Sequence, residues 1–401
     1  MQQIIRYIQK FEISNMPDEM LKRAKYILLD SIGGMFSPNK SDNYSTTFWS
    51  GVRLVECEKD EGNAFAKGHP ACHFLPSLLQ IAKNEDKTYD EVLEAFVVGY
   101  EVGARFGEII TLKPLIHPHG NWGIIGGAAA LAKLKNWNSE QTKQAILISA
   151  QLSYPTLWKS VLEGHEVRNL IIGYNNMNLL LLPEIIDAGY SASEETLTII
   201  FNDILGTQLD IDNWNIDSTT SYFSHAYFKF YDSCRFCHGP IDAIKKVLLK
   251  VNPASKDEIV SITIETYESA ARLNDKQPRN AFAGKFSIPY SMAKEICVYF
   301  NEPYDEKNVY EIAEKIEVIS SEELNKLLPA IRATKCSVKF RNQEVVVEIQ
   351  GALGEENLEQ LQTLIEDKFI NQLSTYFDET TIKRWIDQII VQHVLPYEEL
   401  I

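Results

Sequence analysis

Through residues 1–205 the apolar positions recur at three- and four-residue intervals, so this part of the chain reads as helix after helix. Met16-Pro17-Asp18-Glu19 opens one helix with proline and two acids in its first turn, and Leu21, Ala24, Ile27, Leu28 and Ile32 make its apolar stripe. Gly33-Gly34 is expected to end it. Thr88-Tyr89-Asp90-Glu91 has the form of a capping box, followed by Val92, Ala95, Phe96, Gly99 and Val102 on one face. Asn121 precedes a run of small residues, Gly126 to Ala130, whose lack of side chain predicts close helix contact. Asn138-Ser139-Glu140-Gln141 and Ser191-Ala192-Ser193-Glu194 predict two further helix starts.

Beyond the segment at 227–242 the period changes to two. Ile259–Thr266 alternates as a strand, and Cys336–Phe340 faces Glu344–Ile349 across Arg341-Asn342-Gln343 as a hairpin. Helices are predicted from Ser287 and around Val309–Lys315, and Asn357–His393 is helical again. The fold class expected is mainly α with an α+β second domain. A large all-helical domain of discontinuous sequence (1–228 and 370–401) accompanies a smaller α+β lid domain (229–369). No fixed-period repeat argues for a solenoid.

Composition narrows the function classes. The 401 residues suffice for two cores, and 45% hydrophobic with 23% charged residues is ordinary for a globular protein. No apolar run approaches the roughly 18 residues a membrane span requires; Leu179–Leu182 is closed by Pro183. A formal charge of -16 speaks against nucleic acid, while leaving room for a small anionic ligand in a locally positive cleft. Six cysteines without framework spacing suit reduced thiols, and the opening residues do not read as an export leader, so a cytoplasmic protein is expected.

The densest chemistry lies in Tyr227–Asp242, YFKFYDSCRFCHGPID. Lys229, Arg235 and His238 there could form an anion-binding catalytic segment, with His238 able to move protons near neutrality. Cys234-Arg235-Phe236-Cys237-His238 also has the C-x-x-C-H form of haem attachment, disfavoured by the missing leader and by the lack of an evident axial methionine. The third reading is plain packing of buried thiols. His69 and His73 in GHPACHFLP stand four apart, but without the glutamate of an H-E-x-x-H site, so no metal is expected. His117 and His119, in HPHGNWG, lie just ahead of the Gly/Ala helix, whose free N–H groups attract carboxylates. Arg168, Lys285 and Tyr290 would each, alone, be a solvated charge or a core residue.

Together these segments carry a resemblance. LLDSIG at Leu28, HPACHFLPSLL at His69, GYEVGARFG at Gly99, HPHGNWGIIGGAAALAKL at His117, EGHEVRNLIIG at Glu163, KFYDSCRFCHGPIDA at Lys229 and KFSIPYSMA at Lys285 resemble, in order, the MmgE/PrpD family. The resemblance implies a helical domain with an α+β lid, a homodimer, a site between the domains, and no metal or organic cofactor. It further implies lyase or epimerase chemistry on small di- or tricarboxylates, by proton transfer α to a carboxylate. Carried over residue by residue, His117 is the leading proton-transfer group, with His69 or Tyr290 its counterpart. Lys229 joins the catalytic set, and Arg168, Arg235, His238 and Trp122 bind substrate.

One departure stands out. Relatives place an acidic, aromatic loop between A-F-x-N-G and the histidine, whereas Ala64-Phe65-Ala66-Lys67-Gly68 joins directly to His69, with Lys67 where asparagine is usual. The carboxylate of that loop is missing unless Asp232 or Glu166 substitutes. A widened site lined by Trp122, Trp158 and Tyr154 would suit a bulkier ligand. The expected function is therefore a cofactor-independent lyase, with an epimerase, isomerase or cyclase, or a non-catalytic carboxylate binder, as alternatives. A small anionic substrate is the expected partner, with neither nucleic acid nor membrane.

Overall fold

The computed structural model describes residues 1–36, 38, 42–211, 214, 221–303 and 305–400. It is mainly helical with one small mixed sheet, as the periodicities predict. The chain divides into two compact units: 1–158, 167–228 and 356–401 form the first, and 159–166 with 229–355 the second.

The first unit opens its core with α1 (Asp18–Met35), which starts on Asp18 and Glu19 as read but runs through Gly33-Gly34. Those glycines are contact points and not a stop: a Cβ on Gly33 would lie 2.7 Å from Phe369 Cδ2, and one on Gly34 3.1 Å from Leu54. α2 (Asn43–Glu56) is capped by Asp42, whose carboxylate accepts from the Ser45 amide at 3.0 Å. β1 (Gly62–Asn63) leads to α3 (Leu75–Asn84) and α4 (Tyr89–Ile109). At the head of α4 Thr88 and Glu91 form the expected capping box, with bonds of 3.3 and 2.9 Å. β2 (Ile110–Leu112) and α5 (Gly123–Leu134) follow. α5 lies so close to α4 that a Cβ on Gly126 would be 2.4 Å from the Gly99 carbonyl. α6 (Ser139–Gln151), on its Asn138 capping box, and α7 (Val167–Asp187) extend the bundle. The helix expected at Ser191 begins later, at Thr196, and passes into a π turn over Ile199–Ile204. β3 (Gly206–Leu209) pairs with β2, and β4 (Ala226–Tyr227) pairs with β1.

The second unit begins its main helix, α8 (Arg235–Val251), directly after the basic-aromatic segment. Its sheet has the order β6-β5-β7-β8, from β5 (Ile259–Thr266), β6 (Ile316–Ser320), β7 (Thr334–Phe340) and β8 (Glu344–Ile349). β6 runs parallel to β5, while β7 and β8 form the expected antiparallel hairpin, Lys339 opposite Glu344. α9 (Ile288–Tyr299) and α10 (Glu306–Ala313) lie between β5 and β6 in sequence. α8 rests on β7 at Gly239, where a Cβ would be 2.8 Å from Thr334 Oγ1. The short stretch 159–166 joins this unit, and Asn280 Nδ2 donates to the Gly164 carbonyl at 3.0 Å.

The chain re-enters the first unit at Glu356, earlier than the residue 370 read from texture. The reason is α11 (Leu358–Leu373), which packs on α1 through Phe369 and is followed by α12 (Glu379–Asp387), a π turn over Gln388–Gln392 and a last short helix, Tyr397–Leu400. Among the described residues no helix is long and apolar enough to cross a membrane.

Candidate active site

Four histidines of the first unit meet around one buried carboxylate. His69 precedes and His73 ends a turn of 3-10 helix (Ala71–His73) before α3, and His117 and His119 precede α5. Ring centroids are 4.9 Å apart for His69 and His119, 4.8 Å for His117 and His119, and 5.9 Å for His73 and His119. Asp60 Oδ2 lies 3.0 Å from His69 Nδ1 and 4.0 Å from His119 Nε2. The side chains of Asp60 and His119 are 2% and 1% exposed, that of His69 13%.

Asp60 was not among the candidates from sequence. It lies in Glu58-Lys59-Asp60-Glu61, a charged run that reads as a solvated loop, yet each of its residues is anchored to a different element. Glu58, at φ 56°, forms an ion pair with the buried guanidinium of Arg168 on α7. The Lys59 carbonyl accepts from Lys368 Nζ of α11 at 2.5 Å. Glu61 accepts from the Ala71 amide at 2.7 Å and from the Tyr100 hydroxyl of α4 at 3.1 Å. Burial pushes the Glu61 carboxyl up to about 8, so near neutrality it sits largely protonated.

Hydrogen-bond partners fix the ring protons. His69 Nδ1 contacts the Glu61 carbonyl and lies 3.0 Å from the Asp60 carboxylate, so Nδ1 carries a proton. His117 is the reverse. Its Nδ1 accepts from the His119 amide at 3.1 Å, which puts the proton on Nε2. Burial, reinforced by the Arg168 charge, holds the His117 ring well below its ordinary value, so it stays neutral. His73 is fully engaged, its Nδ1 against the His69 carbonyl at 2.9 Å and its Nε2 accepting from the Gly120 amide at 3.0 Å. Burial takes its pKa down to about 4. His119 is likewise held low by burial, and neither of its ring nitrogens has a hydrogen-bond partner among the described residues.

Glycines make room for this packing. Gly120, at φ +90°, would put a Cβ 2.1 Å from Ile171 Cγ2, and a Cβ on Gly123 would be 2.2 Å from His73 Nδ1. Trp122 is 1% exposed, lodged beside His73 and under Gly68. Trp158 stands edge-on to His117, with centroids 4.3 Å apart. Arg168, read as a substrate clamp, is 1% exposed and engages Glu58, the Val55 carbonyl at 3.0 Å and Asn169 Oδ1 at 2.8 Å.

The remaining candidates belong to the second unit. Lys229 and His238 are fully buried. His238 Nε2 lies 3.1 Å from the Ser233 carbonyl, with Arg235 3.3 Å from its Nδ1. Arg235 donates to the carbonyls of Leu353 (2.8 Å) and Ala352 (2.9 Å) and to Glu355 (2.7 Å). Tyr231 and Asp242, from the same segment, are joined by a 2.6 Å bond. Tyr290 is 8% exposed at the head of α9, and burial raises its hydroxyl pKa. Cys234 and Cys237 are not joined in a disulfide. Asp232, one of the proposed substitutes for the missing carboxylate, is half exposed and pairs with Lys294 at 3.4 Å; Glu166, the other, is exposed.

Comparison with known proteins agrees with this disposition of motifs. Residues 35–173 match the MmgE/PrpD N-terminal domain and residues 231–393 the MmgE/PrpD C-terminal domain. A cis-aconitate decarboxylase of Aspergillus terreus (strain NIH 2624 / FGSC A1156) is 22% identical, over 88% of this chain and 85% of its own length. A second cis-aconitate decarboxylase from Aspergillus terreus has the same identity and coverage. The two domain matches, in order and together spanning most of the sequence, establish that the chain belongs to the MmgE/PrpD family.

Proposed function

We propose that the protein is a lyase of the dehydratase or decarboxylase type, acting on a small di- or tricarboxylate through proton transfer α to a carboxylate. The observation that carries this reading is the histidine cluster at the buried Asp60 carboxylate, where His69 and His117 both pack on His119 and are held oppositely, His69 Nδ1 facing acceptors and His117 Nδ1 accepting from the His119 amide. One can take a proton while the other donates a hydrogen bond to the oxygen on which charge collects.

In an elimination, His69 Nε2 removes the α-proton and becomes imidazolium. The electron pair of the broken C–H bond delocalises into the adjacent carboxylate, where the neutral His117 N–H meets it. A neutral imidazole held so by its surroundings is a suitable electrophile. The pair then forms the double bond as the β C–O bond breaks, and the imidazolium proton leaves with the hydroxide as water. In a decarboxylation no α-proton is removed: the C–C bond breaks, carbon dioxide leaves, and His69, protonated beforehand from solvent, delivers that proton to the carbanion. Family membership and the two decarboxylase relatives support this class of reaction.

The test is proton NMR of the wild type in deuterium oxide with a panel of small di- and tricarboxylates. Olefinic signals or a lost carboxyl carbon are expected, and both vanish in His69→Gln. Deuterium entering the α position with no new compound would replace the lyase by an epimerase. Silence across the panel would overturn the reading.

A further inference from the structure

We infer that Asp60 is a positioning residue for proton transfer, its buried carboxylate facing His69 Nδ1 and stabilising the imidazolium that forms when the ring takes a proton; the catalytic part of this rests on the reading above. The carboxylate arrives from the segment that precedes β1, which no sequence pattern marked.

Three observations carry it. Asp60 Oδ2 lies at ion-pair distance, 3.0 Å, from His69 Nδ1, the nitrogen whose hydrogen bond is with the Glu61 carbonyl. The carboxylate is 2% exposed, so little solvent screens it, and a charge so placed depends on its donors. Its backbone is fixed on both sides, by Glu58 to Arg168, by the Lys59 carbonyl to Lys368, and by Glu61 to Ala71 and Tyr100. A group anchored in this way cannot swing away when the charge on the imidazole changes, which is what a positioning carboxylate requires.

Asp60, His69 and His119 also place ligand-type atoms within 4.8 Å of one another, so metal uptake is the competing outcome. The experiment separates the two. Wild type, Asp60→Asn and Asp60→Glu are prepared with histidine labelled for NMR, with the His69 resonance assigned by its loss in His69→Gln. Thermal unfolding verifies that each variant is folded. In Asp60→Asn the His69 titration is expected to move to lower pH by about one unit or more, because a negative charge at hydrogen-bond distance has gone. Asp60→Glu, which keeps the charge, returns it towards wild type. With a substrate from the panel, Asp60→Asn lowers kcat by about 10²-fold while KM changes little. A His69 titration unmoved in a folded Asp60→Asn protein would overturn the assignment. So would one equivalent of zinc taken up by the wild type and refused by Asp60→Asn. A silent substrate panel with a displaced His69 titration would sink the lyase reading and leave Asp60 as the partner of His69.

Discussion

Lys368 and Asp30 form an ion pair of 2.6 Å, with side chains 7% and 1% exposed, between the last long helix of the first unit and its first. Lys368 also holds the Lys59 carbonyl, so one ammonium ties α1, α11 and the turn that carries Asp60. Lys368→Met leaves the Asp30 carboxylate buried without its cation and is expected to cost about 3–5 kcal/mol in urea unfolding. Asp30→Leu combined with Lys368→Met recovers much of that loss, because no charge then remains buried.

Stability should pass through a maximum close to pH 6.5. The Glu61 carboxyl is raised to about 8, so the folded protein retains a proton that the unfolded chain has released; this stabilisation is complete below the ordinary glutamate range and is lost as pH rises towards 8. His73, at about 4, with His117 and His119 also depressed, has the opposite effect: the unfolded chain gains protons below 6.5 that the folded one refuses. Each full proton is worth about 1.4 kcal/mol per pH unit. Glu61→Gln should flatten the limb between pH 6.5 and 8 and steepen the limb below 6.5, where Glu61 opposes the histidines, as read by denaturant melts at stepped pH.

Gly120→Ala should destabilise by about 2 kcal/mol or more, since φ +90° and a contact of 2.1 Å with Ile171 both oppose a Cβ. The Gly120 amide is the donor to His73, so the same variant should shift the His73 resonances, which a distant packing defect would not.

In the second unit, Tyr231→Phe removes one hydrogen bond to Asp242 and should cost about 1 kcal/mol. Asp242→Ala should cost more. It also strips the Leu353 amide of its acceptor at 2.7 Å, in the turn that Arg235 holds through Ala352 and Leu353. Protection of the 352–355 amides from hydrogen exchange reads the difference.

Local signals were the legible ones. Thr88 and Asn138 start their helices because the capping residue and its partner three positions on lie within one turn, and the β7–β8 hairpin shows its pairing in its alternation. What required the fold was whatever depends on a distant partner. Gly33-Gly34 looks the same as a helix stop until Phe369 arrives against it. Arg168 and Glu58 each look like surface charges, and only tertiary structure joins them. Asp60 escaped for the same reason: a charged run between α2 and β1 gives no sign that each residue will be taken by a different part of the chain. The histidines were visible as residues but not as donors or acceptors, since that depends on the Glu61 carbonyl and the His119 amide.

The first unit is interrupted by the second and completed by α11, which has consequences during synthesis. At about 5–20 residues per second, the interval between the emergence of α1 and that of α11 is on the order of tens of seconds. Throughout it the seat of Phe369 on α1 stays open and Asp30 awaits its cation. The second unit, contiguous but for 159–166, has all its strands on the growing chain before the first can close. The nascent polypeptide is therefore a client for holding chaperones until its last helices appear, and chains halted before α11 become substrates for proteolysis.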